Sequence, residues 1–476
     1  MRTNGRISLR NPAAIGMDIV IPVGVALFVG LLIVRSATAA VAFGAAIALF
    51  LSLARSPLNA LSLLLFLIPF SQTTLLNEPV VEFPGSRPFL LLGAFVAFIA
   101  FLNWRTVEQI PRLAVVYMLF FGGLLVISVF RSLPKVDLIA AALDQEYTEM
   151  GFLLSYVVKP ALYMMPLVII TKFARDLKTV NRLVDTLVVS LIVLSIYFLC
   201  DYFFFVKDKG NIENAWEVVS DDLGLWKGMA GFLYVIGFPM VIARYFAKKD
   251  LVSMAGIILC LIAVGFLYSR TAYVTVVAAF FLFMFFSRRS RFLPVLLVLG
   301  VAASFVISDT IVERATKGIE SEDLNQFASG RIDHQWIPLI EEYAQTPVDF
   351  AFGRGRYSVV TTRVWQSGII PGAMHPHNMF LEMILDAGLV TLVVALIFIL
   401  VLMKKAYYSL PHIEDGASKE YQCGAFVSMI CYMMGGMTTG TMFPSLENSY
   451  FWFVAGLSIV IARLAYEPKP MEESTA

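Results

Sequence analysis

The tetrapeptide His375-Pro376-His377-Asn378 closes a long polar stretch and opens a strongly apolar one. An imidazole can take a proton from a hydroxyl near neutral pH, so a histidine fixed against a helix is a candidate general base. His377 is the first candidate because it abuts the apolar run, and His375 is the second. Asn378 can orient a hydroxyl or cap the helix. The candidate anion ligands are arginines. Arg270, in Tyr268-Ser269-Arg270-Thr271, sits between two apolar runs with almost no loop. That position is costly unless the charge snorkels, is paired or faces a watery cavity. Arg331 follows Ser329-Gly330, with Trp336 five residues later. This pattern predicts a helix start capped by Ser329 and anchored at the membrane interface by Trp336. Gly353-Arg354-Gly355-Arg356 is either a structural turn or a turn whose glycines let the backbone approach a ligand. Lys159, before Pro160 inside an apolar run, is either functional or the partner of Asp201 or Asp386.

Guanidinium forks suit phosphate oxygens. Several of them beside an imidazole would suit a membrane-borne diphosphate donor and an attacking sugar hydroxyl. Nearby cations would depress the histidine pKa and favour the neutral base. A diphosphate leaves readily, so charge neutralisation matters more than a general acid. No Asp-x-Asp pair or His-rich cluster stands near these loops, which predicts metal-independent chemistry without a cofactor.

The elements that must position these groups lie in a membrane. Hydrophobic residues make up 59% of the 476, and charged residues only 15%, against roughly 25% in soluble domains. The net charge of +1 gives no field that would attract nucleic acid. Cys200, Cys260, Cys423 and Cys431 all lie in apolar runs and read as small buried hydrophobes. A bilayer crossing needs about 20 apolar residues. Fourteen such stretches are expected, centred on 18–34, 37–54, 58–75, 87–103, 112–130, 151–171, 183–206, 228–247, 251–268, 270–287, 292–309, 379–403, 421–438 and 450–466. Basic clusters before the first span and after the sixth, eighth, tenth and twelfth fall on one side if the spans alternate. The positive-inside rule makes that side cytoplasmic and places both termini there. The expected organisation is N-terminal helices over 1–309, a large extracytoplasmic loop over 310–376, C-terminal helices over 377–466 and a cytoplasmic tail over 467–476. The long loop carries an excess of cations, against the positive-inside tendency, that calls for a reason.

The segment His377-Asn378, nine residues, then Gly388-Leu389-Val390-Thr391 resembles the His-Asn-x9-Gly-x-x-Thr pattern of the O-antigen ligase and polymerase superfamily. Ser269-Arg270-Thr271-Ala272, Ser329-Gly330-Arg331 and Gly353-Arg354-Gly355 are similar to further elements of that family, in the same order. The likeness spans about residues 228–391, and the N-terminal part matches only as membrane helices. The family often has Asn near the start of its core helix, where this chain has Lys227, an extra cation that could bind phosphate.

The resemblance implies an all-α polytopic glycosyltransferase of the C type in a bacterial inner membrane. Such an enzyme would move a glycan from undecaprenyl diphosphate to an acceptor sugar at the periplasmic face, with inversion. By position, Arg270 and Arg331 would bind the diphosphate, with Arg354 in support, and His377 would activate the acceptor hydroxyl. The implied partners are the lipid-linked glycan, an acceptor glycan or lipid A core, membrane lipids, and a chain-length regulator if the enzyme is a polymerase. The span count favours polymerisation of repeat units. The alternatives are an O-antigen ligase and, in a different class, a lipid-linked oligosaccharide flippase.

Overall fold

The computed structural model describes residues 56–78, 87–104, 112–144, 148–204, 223–289, 325, 330–370 and 374–466. The expected spans 18–34, 37–54 and 292–309, the cap residue Ser329 and the tail 467–476 lie outside these residues. The chain divides into two units, Met1–Ala60 and Leu61–Ala476.

The described residues form helices and no strands. Six helices are long and apolar enough to cross a membrane: Val115–Leu143, Glu149–Phe173, Leu177–Phe204, Lys227–Lys248, Leu389–His412 and Ser449–Tyr466. The expected spans near 58–75, 87–103, 251–268 and 270–287 are shorter apolar helices of 10–17 residues. The helices that build the second unit and its site are α1 (Arg112–Ser132), α2 (Lys159–Phe173), α3 (Leu177–Phe204), α4 (Lys227–Lys248), α5 (Leu251–Phe266), α6 (Arg270–Phe286), α7 (Ile337–Ala344), α8 (Pro347–Phe352), α9 (Met379–Ala387), α10 (Leu389–Ser409), α11 (Gly416–Gly435) and α12 (Ser449–Tyr466).

Helix α4 is the axis of the bundle and is buried along most of its length. It packs closely on α11 because small residues face it. A Cβ at Gly424 would stand 2.6 Å from that of Ala243, and one at Gly435 would stand 2.8 Å from the Phe232 ring. In an apolar solvent this close packing, together with interhelical hydrogen bonds, holds helices together. The bonds include Ser190 Oγ to Tyr450 OH at 3.0 Å and Ser195 Oγ to Tyr234 OH at 2.9 Å. At the C-terminal end of α4, Arg244 binds Asp185 at 2.6 Å and Asp250 at 2.9 Å. The first turns of α4 and α6 and the last turn of α11 lie at the opposite end of the bundle. All the candidate site residues near them are gathered there.

The expected single span over 379–403 is two helices. Gly388 breaks it with φ +91°, a conformation that glycine alone tolerates well. Its backbone passes so close to α8 that a Cβ would stand 2.2 Å from the Ala351 carbonyl oxygen. Helix α9 therefore belongs with the polar segment, and the span begins at Leu389. Between α7 and α9 lies a small core of Leu339, Tyr343, Val359, Ile370, Leu381 and Leu385. Gly388→Ala is expected to destabilise the folded protein by about 1–3 kcal/mol from backbone strain alone. A lowered thermal midpoint in detergent would show this, and a wild-type midpoint would refute it.

Candidate functional site

Each residue of the Ser269-Arg270-Thr271-Ala272 element has a local task. Ser269 Oγ accepts from the Ala272 N–H at 3.4 Å and caps α6. Arg270 is the first residue of the helix, half-buried at its mouth. Thr271 Oγ1 meets Thr438 Oγ1 at 2.6 Å. Ala272 is small enough for Gly231 of α4 to approach; a Cβ there would stand 3.3 Å away.

Arg331 enters from the polar segment. Gly330, at φ +78°, turns the chain and donates its N–H to the Asn325 carbonyl at 2.7 Å. A single π turn, Ile332–Trp336, follows; such turns are frequent at functional sites. Arg331 donates to the Thr438 carbonyl at 3.1 Å. The same π turn holds the histidine loop, with Gln335 Nε2 donating to the His375 carbonyl and Trp336 Nε1 to the Pro376 carbonyl at 2.6 Å. Trp336 is thus a clamp on the loop, where the sequence pattern suggested an interface anchor.

His377 sits at φ +50°, left-handed for a residue with a Cβ, a conformation that costs about 1–2 kcal/mol. Asn378 then caps α9, its Oδ1 accepting from the N–H groups of Phe380 at 3.0 Å and Leu381 at 3.1 Å. The Met379 N–H reaches the Gly436 carbonyl at 2.8 Å. The turn after α11 therefore joins three parts of the site: Gly436 holds the start of α9, and Thr438 holds both Arg331 and Thr271. No motif in the sequence singles out this turn. Its only signal is the run Gly435-Gly436-Met437-Thr438-Thr439-Gly440, which looks like a plain loop.

Arg331 lies within electrostatic reach of both Arg270 and His377. Burial, and then the charge of Arg270, lower the Arg331 pKa. Burial, then Arg331, then His375 bring the His377 imidazole down to about 4. The His377 side chain nevertheless remains accessible from the solvent side. For His375, burial and then Arg356 lower the pKa to about 4. The two rings lie 6.3 Å apart. Both imidazoles are neutral at physiological pH, and the accessible one can receive a hydroxyl.

The other candidates lie elsewhere or do different work. Arg354 is engaged by Asp349 at 2.9 Å, by Glu342, by Thr346 at 3.1 Å, and by the Tyr343 ring. Gly353 and Gly355 serve packing, because a Cβ at 353 would stand 2.3 Å from the Asp386 carbonyl oxygen and one at 355 would stand 2.5 Å from Ser132 Oγ. Asp386 is the partner of Arg356 at 2.7 Å, and not of Lys159. Lys159 begins α2 within reach of the Arg87 charge. Lys227 is exposed at the first position of α4, next to Gly228, whose added Cβ would stand 3.2 Å from Thr439 Oγ1.

Arg356, read in the sequence only as the last residue of the Gly353–Arg356 turn, acts on His375, and Glu447 was not singled out there at all. Arg356 is buried against Glu382 and Asp386 and between the rings of Tyr357 and Phe443. Glu447 is buried nearby; burial, and then the Glu382 charge, push its pKa up to about 8. Glu447 stands in no recognisable motif.

Residues 255–396 match the family model described as O-antigen ligase. This is somewhat under a third of the chain. The match supports the O-antigen ligase and polymerase superfamily, and the segment contains Arg270, Arg331, Arg354 and both histidines of the loop. No curated protein matches the chain.

The histidine shifts have a consequence for stability. The unfolded chain binds protons on these imidazoles below the ordinary value of 6.5, whereas the folded sites refuse them until about 4. The contribution of neutral imidazoles to stability is complete above about pH 6.5 and is lost as the pH falls toward 4. The thermal midpoint is expected to drop between about pH 7 and pH 5, and to drop less in His375→Gln. An identical drop in the variant would contradict this.

Proposed function

We propose that this end of the bundle transfers a glycan from a lipid-linked diphosphate donor to an acceptor sugar. The observation that carries the reading is the convergence of Arg270, Arg331 and the neutral His377. The two guanidiniums bind the diphosphate oxygens. The acceptor hydroxyl attacks the anomeric carbon and gives its proton to His377, and the bond from that carbon to the diphosphate oxygen breaks, with inversion. Charge spreads onto the leaving diphosphate, where fixed cations stabilise it best. A bound dianion also offsets the effect of Arg331 on the imidazole. His377 becomes more basic when the donor is in place.

The general class, membrane-borne glycan transfer, is supported by the long apolar helices and the family match. Within it, we carry forward polymerisation of surface-polysaccharide repeat units from undecaprenyl diphosphate at the periplasmic face of the inner membrane. This requires both termini to be cytoplasmic and no metal or cofactor, and it makes a chain-length regulator a partner. The description of the matched family favours a second reading, ligation of finished polymer to lipid A core. A flippase is disfavoured because the cations gather at helix ends, whereas transporters place substrate near the membrane midplane.

Analysis of glycans in a deletion strain separates these readings. Single repeat units on the core indicate a polymerase, and long polymer left on the lipid carrier indicates a ligase. Arg270→Ala and Arg331→Ala are expected to abolish transfer, and Lys at either position to rescue poorly because a point charge lacks the planar fork. His377→Ala is expected to lower the rate by about 10²–10⁴-fold. Ala variants that transfer normally would end the reading. Chelator is expected to leave transfer unchanged; loss of transfer reversed by a divalent ion would overturn the metal-free step.

A further inference from the structure

A cavity of about 580 Å³ opens between the end of α1 and the segment 342–363. Its volume is that of a ligand pocket, yet such pockets are mostly apolar, and this one is lined throughout by charged and polar side chains. Six of them are Arg131, Lys135, Glu342, Asp349, Arg354 and Arg363. The acids are already satisfied. Glu342 accepts from Arg354 and from the Val364 N–H at 3.0 Å. Burial opposes its ionisation, but these bonds outweigh burial and hold its carboxyl below the usual range. Asp349 accepts from Arg354 at 2.9 Å and lies 3.5 Å from Arg131. Arg131 also donates to the Phe352 carbonyl at 2.9 Å. Lys135 and Arg363 form no ion pair among the described residues.

The cavity is thus a rigid, hydrogen-bonding wall with two cations left over. Arg354 faces it, and Arg356, two residues on, faces the buried acids near His375. We propose that this cavity binds an anionic unit of the glycan: a sugar whose hydroxyls meet the polar wall and whose carboxylate or phosphate substituent meets Lys135 and Arg363. The proposal rests on the glycan-transfer reading and adds that the chain is held at a subsite apart from the one where the bond is made. The excess cation selects charged saccharides over neutral ones.

The test is saturation-transfer NMR on the full-length protein in lipid nanodiscs. The probes are a glucuronate-containing tetrasaccharide, glucose 6-phosphate and neutral maltotetraose. The charged probes are expected to bind and the neutral one to bind more weakly, with salt weakening the difference. The relative response to the carboxylate and the phosphate tells which anion the site prefers. Lys135→Gln with Arg363→Gln is expected to weaken the charged probes about tenfold. Equal binding of the neutral probe, or unchanged binding in the double variant, overturns the proposal. Arg331 does not line this cavity, and Arg331→Ala is expected to bind the glucuronate-containing probe as wild type does. If Arg331→Ala and His377→Ala both transfer glycan normally, the transfer reading falls while the binding result stands on its own.

Discussion

The site depends on one buried ionic clasp. Arg356 is almost fully enclosed and meets two carboxylates of α9, Glu382 and Asp386, one helical turn apart. Burying such charges is expensive, and additional hydrogen bonds to the carboxylates offset part of the cost. Here Asp386 also accepts from Ser358 N at 3.0 Å, Ser358 Oγ at 2.8 Å and Tyr357 N at 3.3 Å. The Asp386 carbonyl accepts from Ser128 Oγ at 2.8 Å, and Ser132 Oγ donates to the Arg356 carbonyl at 3.0 Å. Three stretches far apart in sequence, the end of α1, the 353–358 segment and α9, are thereby fixed as one body. The histidine loop is the direct N-terminal extension of α9, so its position is set by that body.

The charges divide by neighbourhood. Arg354 and Arg356 face carboxylates and are neutralised within the fold. Arg331 meets a carbonyl, and the neighbouring charge that acts on it is another guanidinium. The first arrangement stores no affinity for an anion, whereas the second lowers its own electrostatic cost when an anion arrives. Burial first, and then the same positive field, keep the imidazole neutral, and in the proposed reaction a bound anion makes it more basic. One arrangement therefore serves both halves of the proposed reaction.

Much of this was legible in sequence where a motif is also a local backbone rule. Asn378 caps α9, as its type and its place before the apolar run suggested. The threonine of the same motif, Thr391, returns its Oγ1 to the Ala387 carbonyl at 2.6 Å. That Arg331 would lie near Arg270 and near His377 was suggested by motifs whose order is known in one family. What escaped was set by tertiary partners. A glycine beside an arginine reads the same whether the turn meets a ligand or the back of α9. Trp336 shows no sequence mark of the Pro376 carbonyl it holds. The run over 379–403 is continuously apolar enough to pass as one span, because hydropathy is blind to a single φ at Gly388. Thr438 lies in a loop whose composition resembles any other turn.

These omissions share a physical origin. Transfer chemistry needs reacting groups held to fractions of an ångström, and loops between membrane helices do not supply that by themselves. In this protein the rigidity comes from contacts at right angles to the chain direction: the Gly436 carbonyl on Met379, Thr438 on Arg331 and Thr271, Gln335 and Trp336 on the histidine loop, and Arg356 on α9. None of these repeats with a helical period, so none leaves a periodic trace in the sequence. The left-handed backbone at His377 follows from the same logic. Two carbonyls immediately before it are clamped and the helix immediately after it is capped, so the strain has no route of release and the imidazole stays within reach of Arg331.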